Sequence, residues 1–464
     1  MTQVYVLSAA VAILAAGGIR AHSMQRGRVR FNAFLYFSAG FLYYWMLPLL
    51  FAAIVDQVDA DWARVAVDFI GGLPDGALTS YAWQCAACYA AFLIGYSAIV
   101  SPSPPPMSDL GCAHWRNLRP VLVLAVCVAI ALAIALRDDM FRGHLDGLIE
   151  GVAEEGVIDA LPRGSFVAAV STLFVIALMW GSQATRGNDR PGAFFLSKSL
   201  LMYYALELIV VSMGVRLYAM SGVLSLLAFA TVRYGVTVRP ALLLGGSGVA
   251  ILAAGTYGVM RVGGEASALQ IVTNVLQEPI FTSLSLFSFL AGGDIPAWRA
   301  PSFLLHDFVN LLPSTLFPEK AGWIVKPQDY GFDIRSPLGA LHSFVSCVVN
   351  FGWMGTIGMF GAAGAGVAAL HNRARTSLGA VVYSVTSGWL AFSVFRDPMA
   401  ISIVKNIVQV SLLTPIALNW IASQLEPRRD PGPVVNTGNC SGSDVAARKR
   451  PQCEQALIAS RRDG

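Results

Sequence analysis

The sequence predicts an all-α polytopic membrane protein of about 11 (10–12) transmembrane helices. Three observations predict it: composition, the length of the apolar blocks, and charge that changes sign from loop to loop. Of 464 residues, 55% are apolar and 13% charged, whereas a soluble domain carries roughly 25% charged residues. The apolar residues come in blocks of about 17–25, the length that crosses roughly 30 Å of hydrocarbon. Backbone groups in lipid must bond internally, so each block is expected to be a helix. The net charge of +4 is too small to suggest nucleic acid as a partner.

The expected spans, in order, are 4–19, 31–55, 77–100, 120–136, 166–183, 199–213, 217–232, 241–260, 351–370, 376–395 and 399–423. The first follows only Met1, Thr2 and Gln3, with no basic flank before it and no small-residue cleavage pattern after it. It therefore reads as a retained helix and not a signal peptide.

Orientation follows from Lys and Arg in the short loops. Arg20, Arg26, Arg28 and Arg30 follow span one without an acid. On the same side come Arg116 and Arg119 with Asp109, then Arg186, Arg190 and Lys198 with Asp189, then Arg233 and Arg239, then Arg373 and Arg375. The intervening loops are acidic. Residues 56–75 set five aspartates (Asp56, Asp59, Asp61, Asp68, Asp75) against Arg64. Residues 137–165 set Asp138, Asp139, Asp146, Glu150, Glu154, Glu155 and Asp159 against Arg137, Arg142 and Arg163. The basic loops are expected in the cytoplasm, with the N-terminus outside.

A long external loop, about 261–337, separates spans eight and nine. Within it, 281–290 and 303–312 are apolar but too short to span, and are expected as interfacial or re-entrant helices. Residues 338–349 are expected as a dipping helix beside span nine. Residues 1–423 then form one transmembrane domain, and 424–464 a disordered cytoplasmic tail. Cys85 and Cys88 form a C-x-x-C inside an apolar span and read as buried small residues, with no redox context around them. No Walker loop, dinucleotide fingerprint or H-E-x-x-H sequence is present. No metal site or cofactor is expected.

Charges inside or at the edge of the membrane need a reason, because each costs about 2.5–3.5 kcal/mol on insertion scales. Glu207 lies mid-span. Arg216, Arg261, Arg335 and Arg396 fall at the external boundary, where the loops are otherwise acidic, and Lys405 lies deeper in the last span. Taken singly, an arginine at a helix end reads as an anchor and Glu207 as a core carboxylate. Taken together, several guanidinium groups at one level suit an anionic ligand, because Arg makes fork-shaped contacts to phosphate oxygens. His306 and His342 lie on the same side and are candidates to take a proton from a hydroxyl. Gly352, Gly355, Gly358 and Gly361 recur every three residues, so another helix or a lipid tail could approach closely. Asn350 is placed to cap the helix that follows it.

The segment Val348-Val349-Asn350-Phe351-Gly352-Trp353-Met354-Gly355, followed after some forty residues by Phe395-Arg396-Asp397 and by Lys405-Asn406, resembles the C-terminal half of Wzy-type O-antigen polymerases. Phe41 to Pro48 and the Gly214-x-Arg216 element also look like that family. The chain departs from it at His342, which stands where such polymerases often carry an acid and is reminiscent of O-antigen ligases. The resemblance implies a GT-C-like fold in the bacterial inner membrane, with the N-terminus in the periplasm. It implies a metal-independent glycosyltransferase for O-antigen or exopolysaccharide synthesis, using undecaprenyl-diphosphate-linked oligosaccharides. Arg216, Arg261, Arg335, Arg396 and Lys405 would bind the diphosphate, and His342 or His306 would act on the acceptor. Glu207 would be a further catalytic candidate or hold an arginine in place, and Asn350, Gly352 and Gly355 would shape the motif. A flippase and a chain-length regulator are the partners it would add. A ligase and a lipid-linked oligosaccharide flippase remain the alternatives.

Overall fold

The computed structural model describes residues 2–52, 61–101, 191–212, 216–261, 268–292, 296–312, 317–323 and 341–424, with isolated positions between 127 and 180. Expected spans 120–136 and 166–183, the acidic loop 137–165, Arg335, and residues 425–464 of the tail lie outside these, apart from those isolated positions. Five helices among the described residues are long and apolar enough to cross a bilayer: Thr2–Ser23, Ala33–Ala52, Ala77–Ile99, Ser343–Arg373 and Ala400–Gln424. Their outward faces carry large apolar side chains: Ile13 is 71% and Ile94 69% exposed. In water such surface would be costly, whereas lipid accepts it. The chain is thus a helical membrane protein.

In order, the main described elements run as follows, a five-residue helix Pro191–Phe195 apart. Helix α1 (Thr2–Ser23) leads into strands β1 (Met24–Gln25) and β2 (Arg28–Arg30). The second span is α2 (Ala33–Phe41), a π-helical turn (Leu42–Met46) and α3 (Leu47–Ala52). Then come α4 (Asp61–Gly71) and α5 (Ala77–Ile99). Helices α6 (Lys198–Ser212) and α7 (Arg216–Tyr234), strand β3 (Thr237–Val238) and α8 (Pro240–Arg261) cover the sixth, seventh and eighth expected spans. The external stretch holds α9 (Ala268–Ala291) and α10 (Ser302–Asp307). Two 3-10 turns, Phe308–Leu311 and Pro318–Trp323, follow α10. Helices α11 (Ser343–Arg373), α12 (Ser377–Leu390), α13 (Ser393–Arg396), a π-helix (Ala400–Leu413) and α14 (Thr414–Gln424) complete it.

The basic loops meet on one face. Arg26 and Gly27 both have positive φ, which bends β1 back onto β2 in a two-residue hairpin. Strand β2 then pairs with β3, Val29 opposite Val238. This three-stranded antiparallel sheet is absent from the all-helical expectation. Its strands are too short to register as a period-2 pattern. It joins the loop after span one to the loop after span seven. The loops after spans three and nine meet through Asn372, whose Oδ1 accepts from Ser101 N (2.9 Å) and whose Nδ2 donates to Ile99 O (2.8 Å). Four of the five loops expected on one side are therefore joined in two pairs.

Helix α5 packs along α11 through glycines. A side chain at Gly95 would strike the Gly361 carbonyl, and one at Gly364 would strike Phe92 O. Close approach thus comes at Gly95, Gly361 and Gly364. Gly358 has no neighbouring protein atom within 4 Å of where a side chain would begin. Around this contact Phe34, Phe37, Phe41, Trp45, Tyr89, Phe92, Phe360 and Phe395 form one aromatic core, with Phe37 and Phe92 stacked at 3.4 Å.

Two expected short segments are longer than expected. Residues 281–290 belong to the 24-residue α9, which continues through Pro279. Polar Gln270, Asn274, Gln277 and Glu278 end the apolar run without ending the helix. Residues 343–349 continue into span nine as the first part of α11, which breaks at Gly352 (φ 71°, ψ 171°).

Candidate functional site: a hydrogen-bonded node at the break in α11

The site lies a membrane thickness from the basic face. From Asn372 to Gly352 are twenty residues of α11, about 30 Å of helix, which matches the hydrocarbon layer. Three segments far apart in sequence meet there: 41–48, 342–355 and 393–406.

Pro48 starts the arrangement. A proline has no N–H to offer the carbonyl four residues earlier. That carbonyl belongs to Tyr44, and His342 Nε2 lies 3.2 Å from it. His342 Nδ1 in turn accepts from Phe344 N (3.2 Å), capping α11. Its backbone N–H donates to Ser285 Oγ on α9 (2.8 Å). With Nδ1 accepting and Nε2 facing a carbonyl, the ring is the neutral tautomer that carries its proton on Nε2. His342 is fully buried, and both ring nitrogens are committed to backbone atoms. It sits here as a lock between α11 and the π-helical turn.

The next residues tie in the 395 segment. Trp45 Nε1 donates to Ser343 Oγ (3.0 Å), and Ser343 Oγ donates to Phe395 O (2.6 Å). Ser346 Oγ accepts from Met399 N (3.1 Å). Arg396 and Asp397 are held between these two anchors. Arg396 Nη1 lies 3.3 Å from Asp397 Oδ1, with 37% of the Arg396 side chain exposed.

The break at Gly352 fastens the external loop. Breaking a helix strands carbonyls on one side and N–H groups on the other. Residues 296–299 supply the partners: Trp353 N donates to Pro296 O and Met354 N to Ala297 O, both at 3.1 Å, and Arg299 N donates to Phe351 O at 3.1 Å. Only glycine fits at 352. Its φ is positive, and a Cβ there would lie 2.5 Å from Ala297 O. Gly355 leaves room beside the Trp298 ring, and Arg299 lies 5.2 Å over the Phe303 ring.

Asn350 does not cap its own helix. Its Oδ1 accepts from Leu304 N (2.7 Å), in the first turn of α10, while its Nδ2 donates to Ser346 O (2.9 Å). The asparagine thus caps the loop helix from across the node. Helix α10 and the turn after it pack against the π-helix Ala400–Leu413. His306 is exposed on α10 and Asp307 is buried. Burial pushes the Asp307 carboxyl up to about 6, and neighbouring His306 pulls the other way.

The remaining candidates are placed as follows. Lys405 lies on the π-helix, part-buried. Arg216 opens α7 and Arg261 closes α8, with both side chains outside the described part. Glu207 is buried on α6. Gly222 of α7 faces Tyr203 and Glu207, and a Cβ there would lie 3.4 Å from Glu207 Oε1. Tyr203 belongs to a second core, formed by α6, α7 and α12, while Phe395 belongs to the first. The structure thus brings His342, Asn350, Gly352, Gly355 and Arg396 together and sets Glu207 among the helices of the second core.

Sequence reasoning missed Ser343, Ser346, Ser393 and Asn406, since buried hydroxyls and amides resemble ordinary small polar residues of a span. It could have found the Tyr44 carbonyl, because a proline four residues on is a readable signal.

The chain matches no protein-family model, no curated protein and no solved structure.

Proposed function

We propose that the chain is an inner-membrane glycosyltransferase that polymerises undecaprenyl-diphosphate-linked oligosaccharide repeat units at the periplasmic face, in O-antigen or exopolysaccharide synthesis. One observation carries the reading. The external loop is fastened onto the broken helix at Gly352, in the same node that holds Arg396, a membrane thickness from the basic loops. The positive-inside rule makes the basic face cytoplasmic, so the node faces out, where lipid-linked glycans would be joined.

In this reading an acceptor hydroxyl attacks the anomeric carbon of the donor. The carbon–oxygen bond to the diphosphate breaks, and its electron pair leaves on the diphosphate. Arg396 answers that developing charge, with Arg216, Arg261, Arg335 and Lys405 as further candidates. The hydroxyl proton passes to a base. Exposed His306 suits that task better than His342, whose ring nitrogens are both engaged. The ligase alternative drew its support from His342 and loses weight for the same reason.

Deleting the gene and resolving the cell's glycans on a gel tests the proposal. A polymerase loss leaves single repeat units on the lipid core. Absence of any glycan on the core, with glycan accumulating on the carrier lipid, would point to ligation. Units stranded on the cytoplasmic leaflet would point to flipping.

A further inference from the structure

A buried chain of hydrogen bonds reaches Arg396 from the interior. Asn406 Nδ2 donates to Ser393 Oγ (2.7 Å). Ser393 Oγ donates to Asp397 Oδ2 (2.8 Å). Asp397 Oδ1 then faces Arg396 Nη1 at 3.3 Å. Ser393 and Asn406 are fully or almost fully buried, and Asp397 is 9% exposed.

The backbone is shaped to allow this. Helix α13 ends at Arg396, and Asp397 is extended (φ −96°, ψ 151°). Its carboxylate can therefore turn back to the Ser393 hydroxyl, four residues earlier. The π-helix supplies Asn406. Ser402, Asn406 and Ser411 share its buried side, at intervals of four and five residues. Ser411 Oγ donates to Asn406 O (2.8 Å), which holds this wider winding at the amide that bonds Ser393. Single-turn π-bulges recur at functional sites; this π-helix runs for 14 residues.

A boundary arginine paired with its sequence neighbour needs no such support, and exposed pairs of that kind are worth little. A buried polar chain is costly unless its members are satisfied. Here the chain engages both oxygens of Asp397, one on Ser393 and the other on Arg396, and leaves Asn406 Oδ1 buried without a hydrogen-bond partner among the described residues, a cost the fold bears to keep the chain.

We propose that Ser393 and Asn406 are positioning residues for Arg396. They hold the Asp397 carboxylate in one orientation, so that the guanidinium is presented to the diphosphate of a lipid-linked substrate. The inference rests on the glycosyltransferase reading above. Neither residue touches substrate, and both act through Asp397. Such supporting contacts are worth about 10–100-fold at metal centres, and a 1 Å misplacement near the reacting atoms can cost about a hundredfold.

The test uses the full-length protein in liposomes, with lipid-linked oligosaccharide extracted from cells lacking the gene as the probe. Initial rates of chain lengthening are measured against probe concentration. Ser393→Ala and Asn406→Leu should each lower kcat about 10–100-fold with KM within about twofold. Ser393→Thr, which keeps the hydroxyl, should retain most of the rate. In an Arg396→Lys background, Asn406→Leu should cost nothing further, because the path it supports is already broken. If Asn406→Leu fails to accumulate, the Ser393→Ala and Ser393→Thr pair, alone and in the Arg396→Lys background, carries the same comparison. Wild-type rates in both Ser393→Ala and Asn406→Leu, or losses that multiply with Arg396→Lys, overturn the positioning role while leaving the glycosyltransferase reading intact. Wild-type turnover in Arg396→Lys alone would instead remove Arg396 from the site, and the inference with it.

Discussion

Replacing Gly352 by alanine should unfasten the external loop. Gly352 has a φ of +71°, and a Cβ there would meet Ala297 O at 2.5 Å and Ala297 C at 2.6 Å. The left-handed conformation alone costs a non-glycine residue about 1–2 kcal/mol. The clash is with backbone, which cannot swing aside as a side chain can. Relief must come from moving residues 296–299, which breaks the three backbone bonds to Phe351, Trp353 and Met354. Each contributes about 0.5–1.5 kcal/mol net, so undocking forfeits about 1.5–4.5 kcal/mol. Undocking relieves the strain at the expense of these bonds, so the docking equilibrium shifts by about 1.5–4.5 kcal/mol. Amide hydrogen exchange of Trp353 and Met354 reads this directly, since those N–H groups are covered only while the loop is docked. Exchange in Gly352→Ala should rise by about tenfold or more. Unchanged protection at both amides would refute the claim that this break fastens the loop.

Three other outcomes follow from the geometry. His342→Ala leaves the Tyr44 carbonyl and the Phe344 N–H without their buried partner, and should destabilise the protein by about 2–5 kcal/mol; a variant that melts like the wild type in detergent yet loses turnover would assign His342 to the chemistry instead. Asp307 has its folded-state value raised from 3.8 to about 6, so its stabilisation is complete below about 4 and is lost as pH rises through about 6. Protease cleavage within 296–312 should therefore speed up between pH 5 and pH 7, and Asp307→Asn should flatten that dependence. A wild-type cleavage rate independent of pH contradicts it. Paired Val29 and Val238 place their Cα atoms about 4.5–5.5 Å apart, within disulfide range, so Val29→Cys with Val238→Cys should cross-link under oxidant. Exposed Gln25→Cys, on the neighbouring strand, should react with an impermeant maleimide only from the cytoplasmic side, and labelling from the outside would break the topology.

The sequence made the membrane class and the shared side of the basic loops legible because both are written in long-range averages. Lipid demands apolar blocks, and Arg20–Arg30, Arg233–Arg239 and Arg373–Arg375 mark one face by charge alone. The meeting of 41–48, 342–355 and 393–406 was legible only as three separate motifs. Their contact depends on single atoms: the Tyr44 carbonyl facing His342, a serine hydroxyl between Trp45 and Phe395, a glycine at positive φ. Hydropathy does not carry such information. It also misjudged α9, where polar residues before Pro279 hide a continuous helix. Asn350 was read as a cap for the helix in its own segment, whereas it caps a helix 46 residues earlier in sequence. The role of Asn406 depends on a π-helical winding that an assumed 3.6-residue period cannot reveal.

The central claim is that the outward node supports glycosyl transfer from a lipid diphosphate. Purified protein in liposomes, supplied with lipid-linked repeat units from cells lacking the gene, tests it most directly. Chain length and free undecaprenyl diphosphate are measured together. The account predicts one lipid diphosphate released for every repeat unit joined, and both falling together to a low residual rate when Arg396 becomes lysine. Oligosaccharide that crosses the bilayer with no lengthening and no diphosphate released would contradict it.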